Sequence, residues 1–512
     1  MQRRNFLKLA SAMAATRVVP VAFGMTALAQ RAYAASPNYS GVTINTPSVM
    51  PQIINIHMYG GASELAGNLS NIADININSM NDYSANNAFG SGILTAADDN
   101  DPAARFDGGQ VTANGFWKAA GGTHMEDMIA SRDMTVYRTM FKQKSPTRSH
   151  RESIFMSHKG TLDIENSPGI GSRLALMMLE HESSYSEANL ADGTKMGKLD
   201  ELTLPFISFE GDTQTYALDP SHSLPLSLRG LTMDNQFNNP YSRGSVSSSE
   251  SAINDLLAAQ KLNSGSSRDM HASAWNGFEK REELEAKMSD LSGLLNGTDE
   301  SGNLSSAAAL GVEYPNNGFA DQLEAAVTLA IHNPQTLYMA VGTPGLGGWD
   351  DHNNGIDRYR NRMNDLMEAV KAAMAHIKAA ATQGVTTISG TNRTQTDNII
   401  INVMGDFGRL VNLNGSGGWD HANNQNLYTF GGAGVRPDKE AAALGSVVGT
   451  TVRAGTSKTN NQYTIPTTDS PTWEPMSMAS SIYGYFGAQN SAILTADALL
   501  NPLGDIRLED GL

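Results

Sequence analysis

The chain has no cysteine. Disulfides, thiolate metal sites, iron–sulfur clusters and cysteine nucleophiles are therefore excluded. Charge is also scarce: charged residues fill 17% of the 512 positions, with 36 Lys and Arg against 52 Asp and Glu, a net −16. A surface of that sign repels nucleic acid and anionic lipid, so neither is expected as a partner. No glycine fingerprint follows a strand-like run, which argues against a dinucleotide cofactor. No repeat architecture is visible. What is present is a hydrophobic content of 40% over a length that supports a large core, as one domain with insertions or as two. The 49 glycines and the many Asn and Ser imply long polar loops.

The N-terminus reads as an address. Arg3-Arg4-Asn5-Phe6-Leu7-Lys8 resembles a twin-arginine export motif, and Ala32-Tyr33-Ala34 fits a signal-peptidase site before Ala35. Arg17 breaks the weakly apolar stretch between them, which argues against stable membrane insertion. Residues 1–34 are thus expected to be a leader. They hold five cations (Arg3, Arg4, Lys8, Arg17, Arg31) and no acid, so their removal takes the net charge from −16 to −21. The implied partner is the bacterial twin-arginine translocase, and the implied destination is the periplasm or the cell exterior. That route carries folded proteins, often already loaded with metal.

Six short apolar runs predict strands: Ile53–Met58, Met134–Met140, Leu204–Phe209, Thr336–Gly342, Asn398–Met404 and Leu427–Phe430. Helical patterns separate them. Ile356, Tyr359, Met363, Leu366, Met367, Val370, Met374 and Ile377 recur at steps of three and four, with Gly384 as a stop. Phe319–Ile331 is a second helix. The alternation predicts an α/β fold with a mostly parallel central sheet and helices on both faces. Residues 241–310 are Ser-rich around a charged helical run, Phe278–Leu295, and read as a helical insertion in a domain spanning 35–512. A lid and a solvated helix pair are both open for it. Residues 385–396 and 436–470 read as polar loops.

Two turns carry the chemistry: Gly348-Trp349-Asp350-Asp351-His352-Asn353-Asn354 and Gly418-Trp419-Asp420-His421-Ala422-Asn423-Asn424. Each places carboxylate beside imidazole after a predicted strand, where α/β folds build their sites. Carboxylate with imidazole is a ligand set for a divalent ion, and Zn, Mn, Mg and Ca all remain open. The same residues are ordinary turn formers, so a plain loop with its own Asx hydrogen bonds is the competing reading. Extended backbone should turn Asp351 away from its two neighbours.

The order of motifs resembles the domain-of-unknown-function 1501 family, twin-arginine-exported proteins placed with the alkaline phosphatase and sulfatase superfamily. The resemblance runs from the leader through Gly60-Gly61, Arg148-Ser149-His150, Gly169-Ile170-Gly171-Ser172-Arg173-Leu174, Tyr314-Pro315 and Gly348-Trp349-Asp350-Asp351-His352. It continues through Gly405-Asp406-Phe407-Gly408-Arg409 to Trp419-Asp420-His421 and Gly431-Gly432. It implies an alkaline phosphatase-like fold and metal-dependent hydrolysis of phosphate or sulfate esters, with a small anionic ester as substrate. The alternative is an exported binding or structural protein that keeps the fold after losing catalysis.

Carried over by position, the resemblance makes Asp350, His352, Asp406, Asp420 and His421 metal ligands. Ser149 falls where the nucleophile would start a helix, with His150 adjacent and Arg148 available to an anionic oxygen. Ser149 before Glu152 also fits a capping box. Arg409 either pairs with a carboxylate or binds a substrate anion. His57 reads as a core histidine. The chain departs from the family at Gly60-Gly61-Ala62-Ser63, where the family has Gly-Gly-Asn-Asp; Glu64 stands one place on. Asp406 replaces a Glu, and Phe407 takes the place of a superfamily histidine. These changes favour a reduced site with one ion.

Overall fold

All six expected runs form strands, and two more join them in one eight-stranded sheet. The computed structural model describes residues 37–69, 110–238, 252, 255–256, 283–295, 307–411, 414–453, 464–497 and 500–512. The strands are β1 (Gln52–Met58), β2 (Met134–Phe141), β3 (Phe206–Ser208), β4 (Leu231–Thr232), β5 (Tyr338–Val341), β6 (Ile399–Gly405), β9 (Asn424–Gly431) and β10 (Ser446–Val448). Two short pairs stand apart: β7 (Gly408–Arg409) with β8 (His421–Ala422), and β11 (Thr451–Arg453) with β12 (Thr464–Pro466). The sheet order is β10-β2-β9-β6-β1-β5-β3-β4. Every pairing is parallel except the two that β9 makes, with β2 and with β6.

Side-chain alternation along the central strands splits the core into two layers. Ile54 and Ile56 of β1, with Ile399, Ile401 and Val403 of β6, face one layer. Helices α1 (Gly122–Ala130), α4 (Gly318–His332) and α5 (Ile356–Gln383) cover it. Ile53 and Ile400 face the other layer, covered by α3 (Ile170–Glu180) and α6 (Ser477–Tyr485). Helices therefore lie on both faces. Helix α2 (His150–Lys159) follows β2 at one edge of this arrangement.

Helix α5 is the periodic segment read from the sequence. Its eight apolar positions are all buried, and it ends where Gly384 takes a left-handed φ of +63°. Each such burial stabilises by roughly 1.5–3 kcal/mol, so the stripe outweighs the β-branched or glycine-poor fine detail of propensity. Helix α4 starts at Asn317, whose side chain accepts the Ala320 amide at 2.9 Å.

One stretch differs from expectation. Residues 436–470 are not simply loop: Asp438–Ala443 is helical, and β10, β11 and β12 lie there. Within 241–310, the expected helical run Phe278–Leu295 is helical over its described residues 283–295, and Met288 and Leu291 are buried in the main core. Most of the remaining insertion, and the whole leader, lie outside the described residues. No described helix is long and apolar enough to cross a membrane.

Candidate metal centre

The carboxyl ends of β1, β5 and β6 open onto the same edge of the sheet, where antiparallel β9 begins. Asp350 and His352 sit on the turn between β5 and α5. Asp406 directly follows β6, and His421 lies in β8 opposite Arg409 of β7. His150 is the first residue of α2. The two Trp-Asp turns are zipped together by backbone: the Trp419 amide donates to the Asp351 carbonyl at 2.8 Å, Asn354 to Ser416 at 2.9 Å and Gly355 to Gly417 at 3.0 Å. Gly418 makes the approach: a Cβ there would lie 2.2 Å from the His352 carbonyl carbon. Trp349 and Trp419 are fully enclosed, with ring centroids 6.2 and 5.4 Å from Tyr359, and serve as footings for the turns.

At the first strand's end, Gly60 takes φ +119°, and a Cβ there would meet the Asp350 amide nitrogen at 2.5 Å. A side chain is therefore excluded where β1 meets the Asp350 turn.

Four side chains converge. One ligand atom from each of His150, Asp350, His352 and His421 lies within 4.8 Å of every other, and this cluster could hold a metal ion. His352 Nε2 and His421 Nε2 are 2.8 Å apart. Asp350 Oδ1 stands 3.1 Å from His352 Nε2, 3.4 Å from His150 Nε2 and 3.7 Å from His421 Nε2. Four-coordinate zinc with bonds near 2.0–2.1 Å keeps its ligand atoms about 3.3 Å apart, close to the separations of Asp350 Oδ1 from His352 and His150.

The outer nitrogen of each ring decides its tautomer. His421 Nδ1 lies 2.8 Å from the Arg148 carbonyl, which can only accept. His352 Nδ1 is 3.1 Å from Asp420 Oδ1, and His150 Nδ1 is 2.9 Å from Asp406 Oδ2. All three Nδ1 atoms are therefore donors, and in the neutral rings all three Nε2 lone pairs point inward. Arg409 agrees with this: its Nη1, only a donor, lies 3.3 Å from His352 Nε2. Among the described residues, the enclosed His150 Nε2 has no hydrogen-bond partner.

Burial, then the Arg409 guanidinium, push the His421 imidazole down to about 4, so it is neutral near pH 7. The hydrogen bond to Asp406 raises His150. Burial alone would raise Asp406; hydrogen bonds from His150 and His57 hold it at about 2 instead. Burial likewise opposes ionisation of Asp350, and the Arg409 contact overrides it and lowers its pKa.

The observed cluster and the ligands implied by the resemblance differ in membership. Asp350, His352 and His421 meet as expected. Asp406 and Asp420 come to the same place but stand behind the rings, gripping His150 and His352 at Nδ1. His150, expected beside a nucleophile, points its Nε2 into the cluster. Ser149 is exposed and caps α2, its hydroxyl accepting the Glu152 amide at 3.5 Å. Arg148 contributes its backbone carbonyl to His421; its side chain is exposed. Arg409 pairs with a carboxylate, 2.6 Å from Asp350 Oδ1, and also donates to the Gly61 and Trp419 carbonyls at 2.7 and 2.8 Å. Asp351 turns away to Arg362 at 3.0 Å.

Phe407 packs its ring 4.4 Å from His421 and 4.8 Å from His150, a wall rather than a ligand. Glu64 does not replace the missing first-strand aspartate. It is buried among Asn68, Asn424 and Thr464. His57 does reach the site, through Asp406 Oδ1 at 2.9 Å. That contact follows from the pairing of β1 with β6, which sets His57 opposite Met404, two residues before Asp406.

No protein-family model matches this chain, and no curated protein does.

Proposed function

We propose that this chain is an exported, metal-dependent hydrolase of phosphate or sulfate esters, with an alkaline phosphatase-like fold and one divalent ion. The observation that carries the reading is the convergence of three imidazole lone pairs and one carboxylate oxygen. Lone pairs facing at 2.8 Å repel unless a cation or a proton lies between them. The outer grip on each imidazole by a carboxylate or carbonyl is the pattern that accompanies metal-bound histidine. Further support comes from the site's position at the carboxyl edge of a mostly parallel sheet, and from the motif order that resembles the domain-of-unknown-function 1501 family.

Three nitrogens and one oxygen favour zinc over magnesium or calcium, which take oxygen ligands. A divalent ion held there would polarise an ester oxygen and lower the pKa of a water. The protein's own part is to fix that geometry. His150, Asp350, His352 and His421 hold the ion. Asp406, Asp420 and the Arg148 carbonyl lock the rings, and Arg409 orients Asp350. The Asp350 side chain is 49% exposed, which leaves an approach from solvent for a small anionic ester. With Ser149 engaged as a helix cap, water is the nucleophile in this reading. The twin-arginine-like leader and the acidic mature chain support export to the periplasm or cell exterior.

A second reading, a binding or structural protein without catalysis, is favoured by one feature. Four protein ligands already complete a tetrahedral ion, as in structural sites. Elemental analysis of the folded, exported protein separates the outcomes, with Asp350→Ala and His421→Ala beside the wild type. The hydrolase reading expects one zinc per chain, lost in both variants, together with turnover of aryl phosphates or sulfates. Absence of stoichiometric metal in the wild type sinks both metal readings. Metal without turnover across the panel selects the second.

A further inference from the structure

Asp406 is enclosed, and its two oxygens have different partners. Oδ2 lies 2.9 Å from His150 Nδ1 and accepts the Gly60 amide at 3.1 Å. Oδ1 lies 2.9 Å from His57 Nε2. His57 belongs to the centre of the sheet: β1 pairs with β6 so that His57 stands opposite Met404, two residues before Asp406. The residue is 3% exposed, and its ring is clamped by edge contacts with Tyr59 and His158, each with centroids 4.6 Å away.

We propose that His57 is a positioning residue for the metal centre, fixing through its Nε2–H the Asp406 carboxylate that in turn orients His150. The proposal rests on the metal reading above. A carboxylate turns easily about its last bond, since that torsion has broad wells. Donors on one oxygen leave that rotation soft; a donor on each oxygen sets the plane. Among the described residues, His150 Nδ1 makes its outer contact only to Asp406 Oδ2, so the plane of that carboxylate sets the direction of His150 Nε2. Without the His57 donor, Oδ1 is a buried acceptor without its partner, and the carboxylate rotates toward the donors that remain. His150 Nε2 then leaves the point it shares with His352 and His421.

The test uses the full-length exported protein and three variants: His57→Leu, which removes the donor, His57→Asn, whose amide falls short of Asp406, and His57→Gln, whose amide reaches it. Three quantities are read: zinc affinity by chelator competition, the d–d absorption of the cobalt-loaded protein, and the melting temperature without metal. Zinc affinity is expected to fall about 10–100-fold in His57→Leu and His57→Asn, with an altered cobalt spectrum, and to be largely restored in His57→Gln. If His57→Leu does not fold, His57→Asn against His57→Gln carries the comparison. Wild-type affinity and spectrum in the donor-free variants overturn the proposal and leave the metal centre standing. Equal losses in all three variants, tracking the metal-free melting temperature, reduce His57 to packing and also overturn it. A wild type that takes up neither zinc nor cobalt overturns the metal reading, and this proposal with it.

Discussion

His352 Nε2 and His421 Nε2 face each other at 2.8 Å, although both rings give their Nδ1 protons to outer acceptors. A divalent cation in that gap would relieve the repulsion of the two lone pairs, and protons would compete with it for the same nitrogens. Zinc binding should therefore release protons, and its affinity should weaken as pH falls. His150, raised by its bond to Asp406, is the ring for which acid competes early; His421, held at about 4, resists. Each displaced proton makes apparent affinity fall about tenfold per pH unit. Calorimetry in buffers of different ionisation enthalpy measures the proton count directly. An affinity that is flat from mildly acidic to mildly alkaline pH would show that these imidazoles do not hold the ion.

Asp406 and Asp420 grip their rings in unlike settings, so their amide variants should separate. Asp406 is buried and takes His57, His150 and the Gly60 amide, whereas Asp420 is half-exposed and takes His352 and Asn414. Asp406→Asn turns one acceptor into a donor among fixed donors. Its loss of zinc affinity should approach about 100-fold, and that of Asp420→Asn about tenfold, the two ends of the usual range for outer partners of a metal-bound histidine. Equal affinities for both variants and the wild type, by chelator competition, would refute the locking role.

Gly418 lets the two turns touch, and Gly418→Ala tests whether that contact builds the site. The added carbon would sit 2.2 Å from the His352 carbonyl carbon and 2.3 Å from the Asp351 carbonyl oxygen, so backbone must move. Overpacking of this kind costs about 1–3 kcal/mol. The melting temperature should fall, and zinc stoichiometry should fall with it, because His352 and His421 ride on the two turns. A variant that loses stability but retains full zinc binding would mean that the ligands position themselves independently of the zipper.

Much of this was legible in the sequence, for local reasons. The six runs became strands because β-branched residues between turn formers fit a buried sheet, and α5 kept its expected ends because its stripe and Gly384 agree. Strand direction was not legible: nothing within Leu427–Phe430 says that β9 runs against its neighbours. The same limit applies to the site. Residue type nominated Asp406 and Asp420, but whether a carboxylate meets an ion or the far side of an imidazole is set by strand register and turn packing. His57 needed the β1–β6 pairing to be found at all.

Glu64 yields a pH prediction of opposite sign to that of the histidine cluster. Burial pushes its carboxyl up to about 7, against hydrogen bonds from Thr464, Asn68 and Asn424 and the Arg138 charge. The folded state therefore binds this proton more tightly than the unfolded chain, whose value is 4.5. Its contribution to stability is complete below that lower value and is lost as pH rises through about 7, a change on the order of 3 kcal/mol. Glu64→Gln abolishes the titration, and the neighbouring Asn amides can reorient to meet the new one. Urea denaturation of the metal-free wild type and variant should give stabilities that diverge between about pH 5 and pH 8, the wild type losing ground as pH rises. Because histidine titration is common to both proteins, it cancels in the difference. Parallel curves would mean that the buried carboxylate is already ionised at low pH and that the network of Asn68, Asn424 and Thr464 solvates the charge.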